Sequence, residues 1–231
     1  MQYAIYPTTN RWLQRAIILG TPAVIGIVEL WHPRLTSIPS YEKLEVFVDQ
    51  WLIIHLLQLP LFGLLALAVY LLVKDLPGLA ASLSRIAMGF FVVFYIAFDS
   101  VLGIATGILI RNAQNLPSEQ QATIVQAVEQ IALSPIVGDI SVISILGGGL
   151  GWVMGVFTAA FALYHAGAPR IAVVLLSLSF IFAAHPRPTG PLGMMFFFLA
   201  AVWLELFWQQ SPLKNQENLS PEQKSEELQK V

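Results

Sequence analysis

The chain has 231 residues, of which 56% are hydrophobic and only 11% charged, and it carries a formal net charge of −2. A soluble domain is about one quarter charged, so this balance excludes an ordinary water-soluble core, and the lack of a basic tract excludes nucleic acid as a partner. There is no cysteine, which removes disulfides, thiolate metal sites, iron–sulfur clusters and cysteine nucleophiles.

The apolar residues gather into six runs, each predicting a helix across the roughly 30 Å of a bilayer core. The first covers about 12–31, with Trp12 and Trp31 at its ends as in an interfacial aromatic belt. Arg11 and Arg15 stand at its start, ahead of the apolar run, as in a secretory signal, but no small-residue cleavage pattern follows Val28, so the run reads as a retained span. Residues 40–50, with Leu44, Phe47 and Trp51 on one stripe, predict a helix that continues into the second span at 51–73. The third span is read at 87–110. At 118–133 the spacing predicts an amphipathic surface helix: Ser118 and Gln121 stand as in a capping box, and Ile124, Val128 and Ile131 recur on one face. The fourth span is 140–164. The fifth (169–184) and sixth (192–208) lie near the lower limit of about 17 residues, and two full crossings are expected rather than a re-entrant hairpin.

The expected fold is therefore all-α, a polytopic integral membrane protein with a bundle of about six transmembrane helices. Residues 1–210 form the membrane domain and 211–231 a polar cytoplasmic tail. With both termini inside (N-in/C-in), the inner face carries Arg11, Arg15, Lys74, Arg85, Arg170 and Lys214, against Arg34, Lys43, Arg111 and Arg187 outside. This is the direction of the positive-inside bias. The polar tail and the missing cysteines suggest a bacterial plasma membrane.

Gly147, Gly151, Gly155 and Ala159 recur every four residues in the fourth span and make a flat stripe that another backbone can approach. The expected partner is the third span, through Gly103 and Gly107, or else a second copy or membrane partner docked on the Gly147/Gly151/Gly155 face. A phosphate loop is excluded, because no Lys-Ser/Thr follows the glycines.

Ionisable groups inside a bilayer cost several kcal/mol unless paired or hydrated, so each one marks a candidate site. Asp99 lies roughly 16 Å along the helix from Ile110, near the bilayer centre, with Tyr95, Gly103 and Thr106 on its face. Toward the outer ends stand Glu29, His32, His55, Gln58, Asp139, His185 and Arg187, with Glu29/His32 and His55/Gln58 each three apart. His165 falls at the inner end and reads as a surface residue. His55 is only about 6 Å below Trp51, so depth argues against a shared coordination shell with Asp99 and for a funnel narrowing to Asp99.

Three functions compete. The first is binding or conduction of a proton, cation or small amphipathic ligand by Asp99, Glu29, His32, His55, Gln58 and His185. The second is an intramembrane enzyme built on a metal held by His32, His55 and His185, or on a b-type haem held by His55 and His185. Ligand spacing for either is loose, and the haem ranks below the metal. The third is a non-catalytic subunit or assembly factor.

Overall fold

In a computed structural model, residues 8–33, 41–184 and 187–208 are described, and among them every regular element is helical. The helices are α1 (Thr8–Trp31), α2 (Tyr41–Val73), α3 (Leu79–Ala113), α4 (Ser118–Ala132), α5 (Val142–His165), α6 (Arg170–Ala183) and α7 (Thr189–Trp208). Five of them, α1, α2, α3, α5 and α7, are long and apolar enough to cross a membrane. Outward-facing positions such as Ile53, Leu56, Leu64, Val93, Phe157, Phe161 and Leu199 are exposed. This apolar outer surface is the make-up of a membrane-integral protein.

Helix α6 is different. Nine α-helical residues followed by five of tighter 3₁₀ geometry give a length of about 23 Å, short of the roughly 30 Å of hydrocarbon.

Each of the six bundle helices packs on its neighbour in the chain, and α7 packs back on α1, closing a ring. The interior is largely aromatic. Phe62, Phe91, Tyr95, Trp152, Phe182 and Phe197 pack with ring centroids about 5–6 Å apart. The Trp152 indole donates to the carbonyl of Ser179 (2.9 Å), which joins α5 to α6 and leaves no polar atom of that ring unpaired.

The glycine stripe of α5 lies on α3. A Cβ added at Gly147 would stand 2.7 Å from the Tyr95 nitrogen, one at Gly151 2.5 Å from the Phe91 nitrogen, and one at Gly155 would overlap the end of Met88. The Gly147/Gly151/Gly155 face is thus covered within the chain, and a second copy or partner would have to dock elsewhere. Gly103 and Gly107 do not meet this stripe. They face α2, where a Cβ would overlap the His55 ring and crowd Leu52 respectively.

Local signals set the ends. At the close of α5, Gly167 adopts φ +85° while the amides of Gly167 and Ala168 bond to the carbonyls of Tyr164 and Leu163, the paired bonds of a Schellman turn. Arg85 reaches the last carbonyls of α2 at Val73 (3.2 Å) and Lys74 (3.1 Å). The capping box expected at Ser118 is not formed. Pro117 occupies the cap position, placing Ser118 inside the first turn, and the Gln121 amide instead donates to the carbonyl of Leu116. A capping box does start α5, where Ser141 and Ser144 bond reciprocally. Helix α4 buries Val128 against Tyr41, Leu44, Trp51, Ile110 and Ala113, so it roofs the α2–α3 pair. A 3₁₀ turn at Glu45–Phe47 rotates Phe47 off the expected stripe and leaves it exposed. The proposed 211–231 tail, Arg34 and Lys214 lie outside the described residues.

Candidate functional site: a buried polar cluster between three helices

Glu29, His32, His55, Gln58 and Asp99 are all buried, between the aromatic core on one side and the α4-roofed apolar layer on the other. Helix α1 supplies Glu29, and His32 follows directly after its end. One turn of α2 supplies His55 and Gln58, and α3 supplies Asp99. The three-residue spacings put each pair on one helix face.

The contacts run in a line. The Gln58 amide donates to Oε1 of Glu29 at 2.7 Å. Nδ1 of His55 lies 2.7 Å from the Trp51 carbonyl. A carbonyl only accepts, so Nδ1 carries the hydrogen, and in neutral His55 the lone pair is on Nε2. That Nε2 faces Oδ1 of Asp99 at 3.7 Å. The His32 ring packs edge-on against both Trp51 and His55, with centroids 5.1 and 5.3 Å away. Its Nδ1 bonds to the Pro33 carbonyl (3.0 Å), and its own carbonyl accepts from Nε of Arg187 (2.8 Å). Tyr95 lies within electrostatic reach of Glu29 and Asp99. His32, just beyond the end of α1, has its pKa lowered from 6.5 to about 4, mainly by burial and further by the nearby Arg187 charge, against the opposing Pro33 bond.

Wide π turns occur in α5 (145–153), in α7 (203–208) and, on either side of the Asp99 level, in α3. In α3 they cover residues 91–95 and 99–105, so that the Thr106 hydroxyl reaches back to the carbonyl of Val101 at 3.2 Å. Such turns are rare and concentrate at functional positions. Gly103, inside the second, gives up its side-chain volume to the His55 ring, and its carbonyl accepts from the Trp51 indole at 2.6 Å.

The depth argument from sequence is corrected by this geometry. His55 and Asp99 are on one level. The error was in the origin: the helix that carries His55 begins at Tyr41, ten residues before Trp51, and α3 runs on past Ile110 to Ala113. His32 and Glu29 are as buried as Asp99, so the expected graded funnel is replaced by a closed cluster. Asp139 is exposed and stands apart from it, His165 is exposed at the other end of the bundle, and His185 lies outside the described residues. Among the described residues no group of three or more His, Asp or Glu side chains is placed to hold a metal ion.

Two groups were missed in the sequence. Glu205 of α7 is buried, with Oε2 3.4 Å from Nε of Arg15 on α1. Its place three residues before the end of an apolar run resembles an interfacial glutamate, so only its pairing with Arg15 gives it away. Trp51 counts in the sequence only as the head of the second span, and nothing in the spacing announces the bond from its indole to the Gly103 carbonyl.

Several buried oxygens of the cluster have no hydrogen-bond partner: Oε2 of Glu29, Oε1 of Gln58 and both oxygens of Asp99. Buried polar atoms are nearly always paired, so four such oxygens in one cluster single it out as the candidate site. No family model, curated protein or solved structure matches the chain.

Proposed function

We propose that this is a multi-pass protein of a bacterial plasma membrane in which the Glu29–Gln58–His55–Asp99 cluster takes up and releases a proton. The observation that carries the reading is the carboxyl group of Asp99, buried in an apolar bundle with neither oxygen hydrogen bonded and with His55 Nε2 as the ionisable atom facing it. An unpaired carboxylate in such surroundings costs many kcal/mol, and accepting a proton removes that cost. Binding of a cation or a small amphipathic ligand remains the neighbouring reading of the same cluster. The proton is favoured over a metal cation because no three-ligand group is assembled among the described residues.

In this reading α6 joins the five longer helices as a sixth crossing, both termini are cytoplasmic, and the His32 end of the bundle faces outward. The lysine and arginine distribution supports that orientation.

Infrared difference spectroscopy of the purified chain in lipid, across a pH titration, tests the proposal. The expected result is a protonated carboxylic acid C=O band that titrates with pH, persists in Asp99→Glu and is lost in Asp99→Asn. Absence of any band that depends on Asp99 would remove the proton reading.

A further inference from the structure

We infer that His32 is the relay through which the Asp99–His55 pair exchanges protons, and that exchange is confined to the Arg187 end of the bundle. This rests on the proton reading above and adds its route and sidedness.

The route follows from what surrounds the pair. Toward the Arg15 end, the interior is the aromatic and aliphatic core of Ile25, Phe62, Tyr95, Trp152, Met194 and Phe197, all buried. Along α1, Thr21 is the one buried polar residue between Arg15 and Glu29 among the described residues, over a stretch of roughly 20 Å, and the buried hydroxyls of Ser84 and Ser179 on the other helices are each committed to a backbone carbonyl, of Gly155 and Leu176. A proton needs a succession of donors and acceptors, and that stretch does not supply one. Beneath α4, the layer of Leu44, Val48, Leu52, Ile110 and Val128 is equally apolar.

The remaining direction is polar. His32 packs on His55 and is tied through its carbonyl to Arg187, which is itself only partly buried. The titratable and charged groups facing this region are Glu29 from α1, His55 from α2, Tyr95 and Asp99 from α3, and Arg187 from the segment before α7. The Nδ1–H of neutral His32 is held by the Pro33 carbonyl, which puts the lone pair on Nε2, the nitrogen that both accepts a proton and hands it on.

The transfer balances simply. When the buried His32 ring gains access to water at the Arg187 end, a proton adds to its Nε2, and that same proton passes to Nε2 of His55 while Nδ1–H stays on the Pro33 carbonyl. From there it moves to Oδ1 of Asp99, converting carboxylate to acid and returning both imidazoles to neutrality. At 3.7 Å the last step needs an approach of about 1 Å, or a bridging water, to reach hydrogen-bond distance. Burial, with the nearby Arg187 charge adding to it, disfavours a long-lived charge on His32, which makes His32 a point of passage and leaves Asp99 as the resting place.

The chain has no cysteine, so an introduced Asp139→Cys, on the exposed loop at the same end as His32, permits biotin-maleimide capture of lipid vesicles by orientation. Each sorted population receives an external pH jump while the Asp99 acid band is followed in time. Rapid response is expected only when the Asp139 end faces the jump. His32→Gln is expected to slow that response at least about tenfold while leaving its final amplitude intact. The retained amplitude shows that the variant is folded and the site still titrates. Equal rates from both faces, or an unchanged rate in His32→Gln, would overturn the relay and leave the proton site standing. A wild type without an Asp99-dependent band sinks the site and the relay together.

Discussion

Replacing Gly151 by alanine tests the helix contact that holds Asp99's helix in place. The new Cβ would lie 2.5 Å from the Phe91 nitrogen and 2.6 Å from its Cα, against an ordinary contact of 3.4–4 Å. The obstructing atoms are backbone and cannot rotate away, so α3 and α5 must separate by about 1 Å along a stripe that also includes Gly147 and Gly155. Overpacking of this kind costs typically about 1–3 kcal/mol, and the rigid obstacle points to the upper part of that range. Alanine recovers about 1 kcal/mol in helix propensity, giving a net destabilisation of about 2 kcal/mol. Gly149→Ala is the matched control. Its Cβ meets nothing nearer than the Ile145 Cγ2 at 3.8 Å, so it keeps the propensity gain without the clash. The two variants therefore differ by about 3 kcal/mol in opposite directions. Unfolding in mixed micelles, followed by the fluorescence of the adjacent buried Trp152, measures the difference. A Gly151→Ala protein as stable as Gly149→Ala would refute the close α3–α5 packing.

Gln58→Leu removes the amide that bonds Glu29 and is expected to cost about 1–3 kcal/mol in thermal unfolding, with Gln58→Leu/Glu29→Gln less affected than the single change. His32 stays neutral in the fold down to about pH 4, whereas the unfolded chain takes its proton near 6.5. The stability owed to neutral His32 is thus complete above pH 6.5 and is lost as pH falls to 4, by about 3 kcal/mol at most. His32→Gln should flatten the stability–pH curve in that window, and parallel curves would contradict it. Arg15→Ala leaves Glu205 without its ion-pair partner and is expected to destabilise by about 2–4 kcal/mol, less than a fully dry pair because Arg15 is 21% exposed. Adding Glu205→Gln should recover part of that loss in the same unfolding assay.

The helices themselves were legible because a bilayer demands unbroken apolar runs, and Asp99 was legible because it interrupts one. The companions of Asp99 were not. Their levels depend on where each helix meets the membrane edge, and Trp51, at the head of the second apolar run, serves as an interior hydrogen-bond donor to Gly103. Four-residue glycine spacing correctly marked a close contact for α5. The same reasoning misassigned Gly103, because small residues announce that something approaches but not what. Here it is the His55 ring. Glu205 escaped because a charge near a helix end is unremarkable until its partner 190 positions earlier in the chain is known.

The order of the helices along the chain has a further consequence. Among the described residues, every buried ionisable group of the polar cluster falls between positions 29 and 99, and the only buried carboxylate beyond them is Glu205. As the protein is synthesised, α1 to α3 emerge carrying two carboxylates and two imidazoles before the helices that enclose them exist. The later half, α5 to α7, contributes bulk, and its last member must return to α1 to finish the enclosure. Until that closing step the nascent half-bundle keeps its polar side chains from lipid only through one another, which places a biosynthetic demand on Glu29–Gln58 and His55–Asp99 independent of any role in the finished molecule.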